Sequence, residues 1–190
     1  MKQAASVRLE CRATRILEAS ACPMSLVMAR NRARRLRKLE RAKRRALAGD
    51  YRDALTILDD LLAARSSDAD ALVLRGNVLD LMGEGLLART AYETVLRHHP
   101  GHIRALIDLA ELDEDAERPE AALLQLDLAQ TLLENGQAYL DQAQELEEVF
   151  WAKYRCYRAM GRSAEARGIL EQGVKLCPDS SLLRGLLAKS

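Results

Sequence analysis

Apolar side chains recur along the chain three and four positions apart, the spacing of an α-helix. Leu36, Leu39, Ala42 and Ala46 form one such stripe and predict a helix over residues 30–46. Leu9, Ala13, Ile16 and Leu17 form another, with Arg8, Arg12 and Arg15 on the opposite face. They predict a separate amphipathic helix or extension over residues 1–29, with the helix ended by Pro23. Asn135-Gly136 reads as a break, followed by one long helix from Gln137 to Met160. Residues 181–190 predict a short closing helix.

Between these ends the pattern repeats. Gly49-Asp50-Tyr51-Arg52-Asp53-Ala54 aligns with Gly83-Glu84-Gly85-Leu86-Leu87-Ala88, and that segment with Glu117-Arg118-Pro119-Glu120-Ala121-Ala122, each time 34 residues on. Gly161-Arg162-Ser163-Ala164-Glu165-Ala166 follows after 44. The units span about residues 35–68, 69–102, 103–136 and 147–180, with an insertion at 137–146 and a cap at 181–190. Together they predict one domain over residues 30–190.

In period and position the units resemble the tetratricopeptide repeat, a helix–turn–helix of 34 residues. Leu72, Gly76, Leu79, Gly83, Ala88, Tyr92, Val95 and Pro100 occupy the family's positions 4, 8, 11, 15, 20, 24, 27 and 32. The third unit keeps Leu106, Ala110, Ala122, Leu126 and Ala129, and the fourth keeps Phe150, Tyr157, Gly161, Ala166, Leu170 and Pro178. The resemblance implies an all-α fold: a right-handed solenoid of helical hairpins, with an extra N-terminal helix and a C-terminal capping helix. Small residues at positions 8 and 20 would let the two helices of a unit approach, and stacking would supply a core no single unit has. Three departures stand out. Position 8 of the last unit is Tyr154, expected to wedge its helices apart unless Gly168 and Gly173 make room. The insertion lengthens a helix, whose part Gln137–Leu146 is expected to project. Lys38, Arg41 and Arg45 hold positions 4, 7 and 11 of the first unit and suggest a polar N-terminal cap.

Composition agrees with helices. Ala, Leu, Arg and Glu dominate and aromatics are only 4%. No apolar run reaches the roughly 18 residues of a membrane span, so none is expected. Net charge is +1, yet residues 1–49 carry 14 basic side chains against 3 acidic, and the remainder is net acidic. This complementarity and the projecting helix both permit a homodimer, and neither demands one. The bias toward Arg over Lys suggests a bacterial source. Cys11, Cys22, Cys156 and Cys177 lack the close spacing of a metal or redox site, so idle thiols in a reducing compartment, the cytoplasm, are expected. No apolar segment precedes Ala19-Ser20-Ala21-Cys22, so a secretory signal is not expected.

The resemblance also implies where partners bind. Positions 2, 5, 9, 12 and 13 of the first helix in each unit point into the concave groove. That gives Asp70, Val73, Asn77 and Asp80 from the second unit, Arg104, Ile107, Glu111 and Glu114 from the third, and Trp151, Arg155 and Arg158 from the fourth. The first unit offers Leu36, Leu39, Lys43, Ala46 and Leu47. The carboxylate clamp of chaperone-binding members is absent: its positions hold Leu39, Lys43, Leu74, Arg104 and Asp108. An acidic mid-groove favours a basic or amphipathic peptide or helix. No nucleophile–base pair, phosphate loop or metal constellation is present, so neither enzyme activity nor a cofactor is expected. The acidic stretch from Glu111 to Glu117 lacks the spacing of a calcium loop, and His98, His99 and His102 read as an inter-repeat loop. The reading is a protein-interaction scaffold or chaperone-like subunit. The alternative is a nucleic-acid-associated accessory protein using the basic arm: Arg30, Arg32, Arg34, Arg35, Arg37, Lys38, Arg41, Lys43, Arg44 and Arg45.

Overall fold

The computed structural model describes residues 23–136 and 142–190. The predicted helix over residues 1–22 and the first part of the insertion lie outside the described residues. Nine helices and no strand occur among them: α1 Pro23–Leu47, α2 Tyr51–Ala64, α3 Ala69–Leu81, α4 Gly85–His98, α5 Ile103–Asp115, α6 Pro119–Glu134, α7 Gln142–Ala159, α8 Ser163–Leu176 and α9 Ser181–Leu187. Pro23 opens α1, where its missing N–H costs nothing.

Each helix packs on the next in sequence, and α1, α3, α5 and α7 also touch one another in series. Those four form one wall of the stack, with α2, α4, α6 and α8 behind it. No hairpin covers its own apolar stripe. Ala42 and Ala46 of α1 are buried with Ala54, Leu58 and Leu61 of α2 and with Ala71 and Val78 of α3. Farther on, Ile103, Ile107, Leu126, Leu133, Val149 and Cys156 bring α5, α6 and α7 into one cluster. The expected small residue at position 8 has a measurable reason. A methyl group on Gly76 would stand 2.3 Å from the Tyr92 ring, so only glycine lets α4 seat its tyrosine.

The same turn closes the first helix of every unit. Asp50, Glu84, Arg118 and Arg162 each donate their backbone N–H to the carbonyl five residues back, on Arg45, Leu79, Asp113 and Tyr157. This closure requires a left-handed residue just before the donor. Gly49, Gly83 and Gly161 supply it at φ of 81°, 78° and 72°. In the third unit the position falls to Glu117, at φ 57°. Its neighbour Arg118 is tied down by an ion pair to buried Asp113 at 2.7 Å.

Two expectations about the last unit need correction. Tyr154 does not wedge α7 from α8; it is half-buried and stacks on Trp151, ring centres 5.7 Å apart. Gly168 makes room for nothing, since a Cβ there meets open space. Gly173 does make room, but for Phe150, whose Cγ would lie 2.9 Å from a Cβ. The described part of the insertion, from Gln142, continues as α7, and Leu146 packs onto two core clusters rather than standing clear. The closing helix is present as α9. Ser180 Oγ accepts the Leu183 N–H at 3.0 Å, and Leu183 is buried against Phe150 and Leu170.

Glu117 holds a conformation that suits glycine, so Glu117→Gly is expected to stabilise the protein by about 1 kcal/mol. Urea unfolding monitored by circular dichroism checks this; a destabilised variant contradicts the shared turn.

Candidate functional site: the concave groove

The wall of α1, α3, α5 and α7 encloses a concavity of about 640 Å³. Leu36, Leu39, Val73, Leu74 and Ile103 give it an apolar floor, and Glu40, Lys43, Asp70, Asn77, Arg104 and Glu145 bring polar groups to it. Seven residues predicted from repeat positions therefore share this cavity: Leu36, Leu39, Lys43, Asp70, Val73, Asn77 and Arg104. Ala46, at a groove position of the first unit, is buried in the core instead. Val73 is part of the floor and already buried against Leu72, Val95 and Ala105. Glu145 and His102 were not foreseen. The insertion carries Glu145 outside the repeat numbering. His102 does a structural job: its Nδ1 accepts the Ala105 N–H at 3.3 Å and caps α5. Burial holds its imidazole below the usual histidine range.

Beneath the cavity lies a buried polar group that repeat positions did not single out. Asp108 is 8% exposed. Asn77 is assigned with its amide nitrogen facing the carboxyl, donating to Asp108 Oδ2 at 3.2 Å and to the Val73 carbonyl at 2.8 Å. Tyr92 Oη stands 2.8 Å from the same amide. Arg104 approaches Asp108 only to 3.8 Å, while it pairs with Glu148 of α7 at 2.8 Å. Burial pushes the Asp108 carboxyl up to about 7; Arg104 opposes this, and Glu111, Glu148 and Asp80 add to it.

The remaining predicted residues gather toward the other end. Arg155 of α7 reaches Glu114 at 2.9 Å and Glu111 at 3.9 Å on α5. Its guanidinium also sits 5.7 Å from the centre of the Trp151 ring. Arg158 covers Tyr154 at 6.0 Å. Trp151 is thus half-buried in a layered cluster of its own helix, with one part still open. Burial raises the carboxyls of Glu111 and Glu114, and Arg155 counters it. Asp80 is raised by burial and by its like-charged neighbour Asp115.

Ile107 departs from its expected place. It is 1% exposed and belongs to the core, because Val149 and Ala152 of the long helix α7 close over it. The ten residues of the basic arm do not act as one patch either. Arg35 pairs with Asp68 and Asp70, Lys38 with Asp60 at 3.3 Å, and Arg45 with Asp50 at 2.8 Å. The other seven are exposed. No helix among the described residues is long and apolar enough to cross a membrane.

Asp108 keeps a proton in the fold up to about pH 7 that an unfolded carboxyl gives up near pH 4. The folded state binds more protons across that window, so this group's contribution to stability falls as pH rises through it. Asp108→Asn should raise the melting temperature at pH 8 by a few degrees and leave it unchanged near pH 4. Thermal unfolding across pH checks this; a lower melting temperature at pH 8 contradicts it.

No protein-family model matches the chain, and no curated protein matches it. Solved structures do. A pilF from Pseudomonas aeruginosa superposes with a TM-score of 0.70 at 20% identity, over 82% of this chain and 66% of that one. A MamA double mutant from strain RS-1 gives a TM-score of 0.63 at 17% identity, over 80% of each chain. A putative kinesin light chain from Podosopora anserina, with nearly identical TPR-like repeats, gives 0.61 at 18%, over 77% and 76%. At these identities the likeness is one of fold, and it agrees with the turns and small-residue contacts above: the chain has the tetratricopeptide-like helical-repeat fold.

Proposed function

We propose that the chain is a non-catalytic protein-interaction scaffold that holds a basic or amphipathic partner segment in its concave groove. The observation that carries this reading is the 640 Å³ concavity, whose floor is apolar and whose rim is charged. A cleft of this size, apolar with a few polar groups at its rim, has room for the anchoring side chains of a partner. Leu36 is 49% exposed on its wall, a costly position for a leucine with nothing on it. The preference for a basic partner comes from the carboxylates beyond the cavity. Asp80 and Asp115 press on one another electrostatically, and Asp115 acts on Glu111 as well. A cation from a partner would relieve that repulsion. The open part of Trp151 offers a second anchor, with Arg155 fixing the ring. Arg104 and Arg155 are engaged with Glu148 and Glu114, so they act as braces between α5 and α7 more than as partner contacts. Cys156 and Cys177 are buried and unpaired, and burial pushes both thiols up, so they serve as core side chains; a reducing compartment such as the cytoplasm is part of this proposal.

A peptide library selected on the immobilised full chain tests the reading. The peptides recovered are expected to carry Lys or Arg beside large apolar residues. Leu36→Asp, Asp80→Lys and Trp151→Ala should each weaken the best peptide at least tenfold by calorimetry. Leu124→Asp, on the far side of the stack, should not weaken it. Binding that ignores the first three changes, or that Leu124→Asp abolishes, rules the groove out.

A further inference from the structure

The ten basic residues of the arm are divided by the geometry of α1. At 100° per residue, Arg35, Lys38 and Arg45 lie toward α2 and the α2–α3 turn, where acidic residues pair with them. Lys43 turns to the groove beside Leu36 and Leu39, and Arg32 shares that side of the helix. Five remain: Arg30, Arg34, Arg37, Arg41 and Arg44. Their spacing alternates four and three, so they fall within about 80° of arc and form one straight row about 21 Å long. All five are exposed, and none has an ion-pair partner among the described residues. Glu40, the sole acidic residue of α1, lines the cavity and does not interrupt the row.

Such a row works against its own helix. Like charges three and four apart repel. Arg44 gains from the negative helix C-terminus, but the other four stand beyond the end turns, where that field gives no relief. Nothing in the fold of the described residues uses the five. We infer that this row binds the phosphate backbone of a nucleic-acid duplex without reading its sequence. Every member is Arg, whose planar fork matches phosphate oxygens better than lysine does. No aromatic side chain is interleaved, so bases have nothing to stack on and single strands are disfavoured. A membrane surface fits less well. A helix lying on lipid needs a free apolar face beside its charges. Here the apolar stripe, Leu39, Ala42 and Ala46, is packed against the core. The exposed apolar residues of α1 form no such face: Val27 and Met28 lie near its start, Leu36 lines the cavity and Leu47 is its last residue.

Fluorescence anisotropy of labelled 20-base-pair duplexes, one DNA and one RNA of the same sequence, tests this on the full chain. Five phosphate contacts predict a slope of log affinity against log salt of about −4.5 on DNA. The triple variant Arg34→Gln, Arg37→Gln, Arg41→Gln should lose at least tenfold in affinity at low salt, and its slope should shrink by about 2.7. These side chains are exposed and make no side-chain hydrogen bond or ion pair among the described residues, so the melting temperature should hold. The control Arg32→Gln, Lys43→Gln should stay within threefold of the wild type. Tighter binding to one duplex would assign DNA or RNA as the source. The inference is overturned if the wild type binds neither duplex, if the control loses as much as the triple variant, or if the chain binds phosphatidylglycerol vesicles and neither duplex.

Discussion

Asp68 is the residue on which the first wall of the stack depends. Its side chain is 2% exposed, and it does two jobs at once. It accepts the Ala71 N–H and so caps α3. It also receives the Arg35 guanidinium through both oxygens, the second at 2.6 Å. Burial pushes this carboxyl up, but Arg35 and the α3 amide more than offset that and hold it below the usual carboxylate range. Removing Arg35 would leave the buried Asp68 charge without its main partner, at a cost below the ~3–5 kcal/mol of a fully buried pair because Arg35 itself is only half-buried. The pair joins α1 to the start of α3. Everything α1 contributes follows from that junction: the cavity wall of Leu36 and Leu39 on one side, and the exposed arginine row on the other.

The repeat was legible because its constraints are local and steric. A helix that must end within one turn needs a left-handed residue, and Gly49, Gly83 and Gly161 announce it. Glu117 shows why spacing told more than residue type: the backbone follows the same path where the sequence offers no glycine. Gly76 was legible for the same reason, since the Tyr92 ring, the eighth residue of the return helix, leaves no room for a methyl group. What repeat positions did not reveal depends on neighbours in space. Ile107 sits at a groove position, yet the lengthened α7 covers it. Tyr154 sits at a small-residue position, yet its ring turns along its own helix onto Trp151. In the sequence Asp108 stood only as a position of the absent carboxylate clamp; its burial beside Asn77 and Tyr92 depends on residues 31 and 16 positions away.

Charge followed the same rule. The sequence shows a basic arm and an acidic body, but not which side chains meet. In the fold Arg35, Lys38 and Arg45 answer acidic groups of the first two units, and Arg104 and Arg155 brace α5 against α7. Exposed pairs such as Arg45–Asp50 are screened by solvent and serve orientation more than stability. The carboxylates without such partners, Asp80 and Asp115, mark where the groove retains negative charge.

The account stands on α1 being the first structural wall of the stack and not a loosely attached basic tail. Amide hydrogen exchange of the full chain tests that directly, by comparing residues 36–47 of α1 with residues 72–79 of α3. The account predicts protection in the two segments of the same order, and a selective loss in α1 when Arg35 is replaced by alanine. Exchange in α1 at the rate of an unstructured segment, while α3 stays protected, would contradict it.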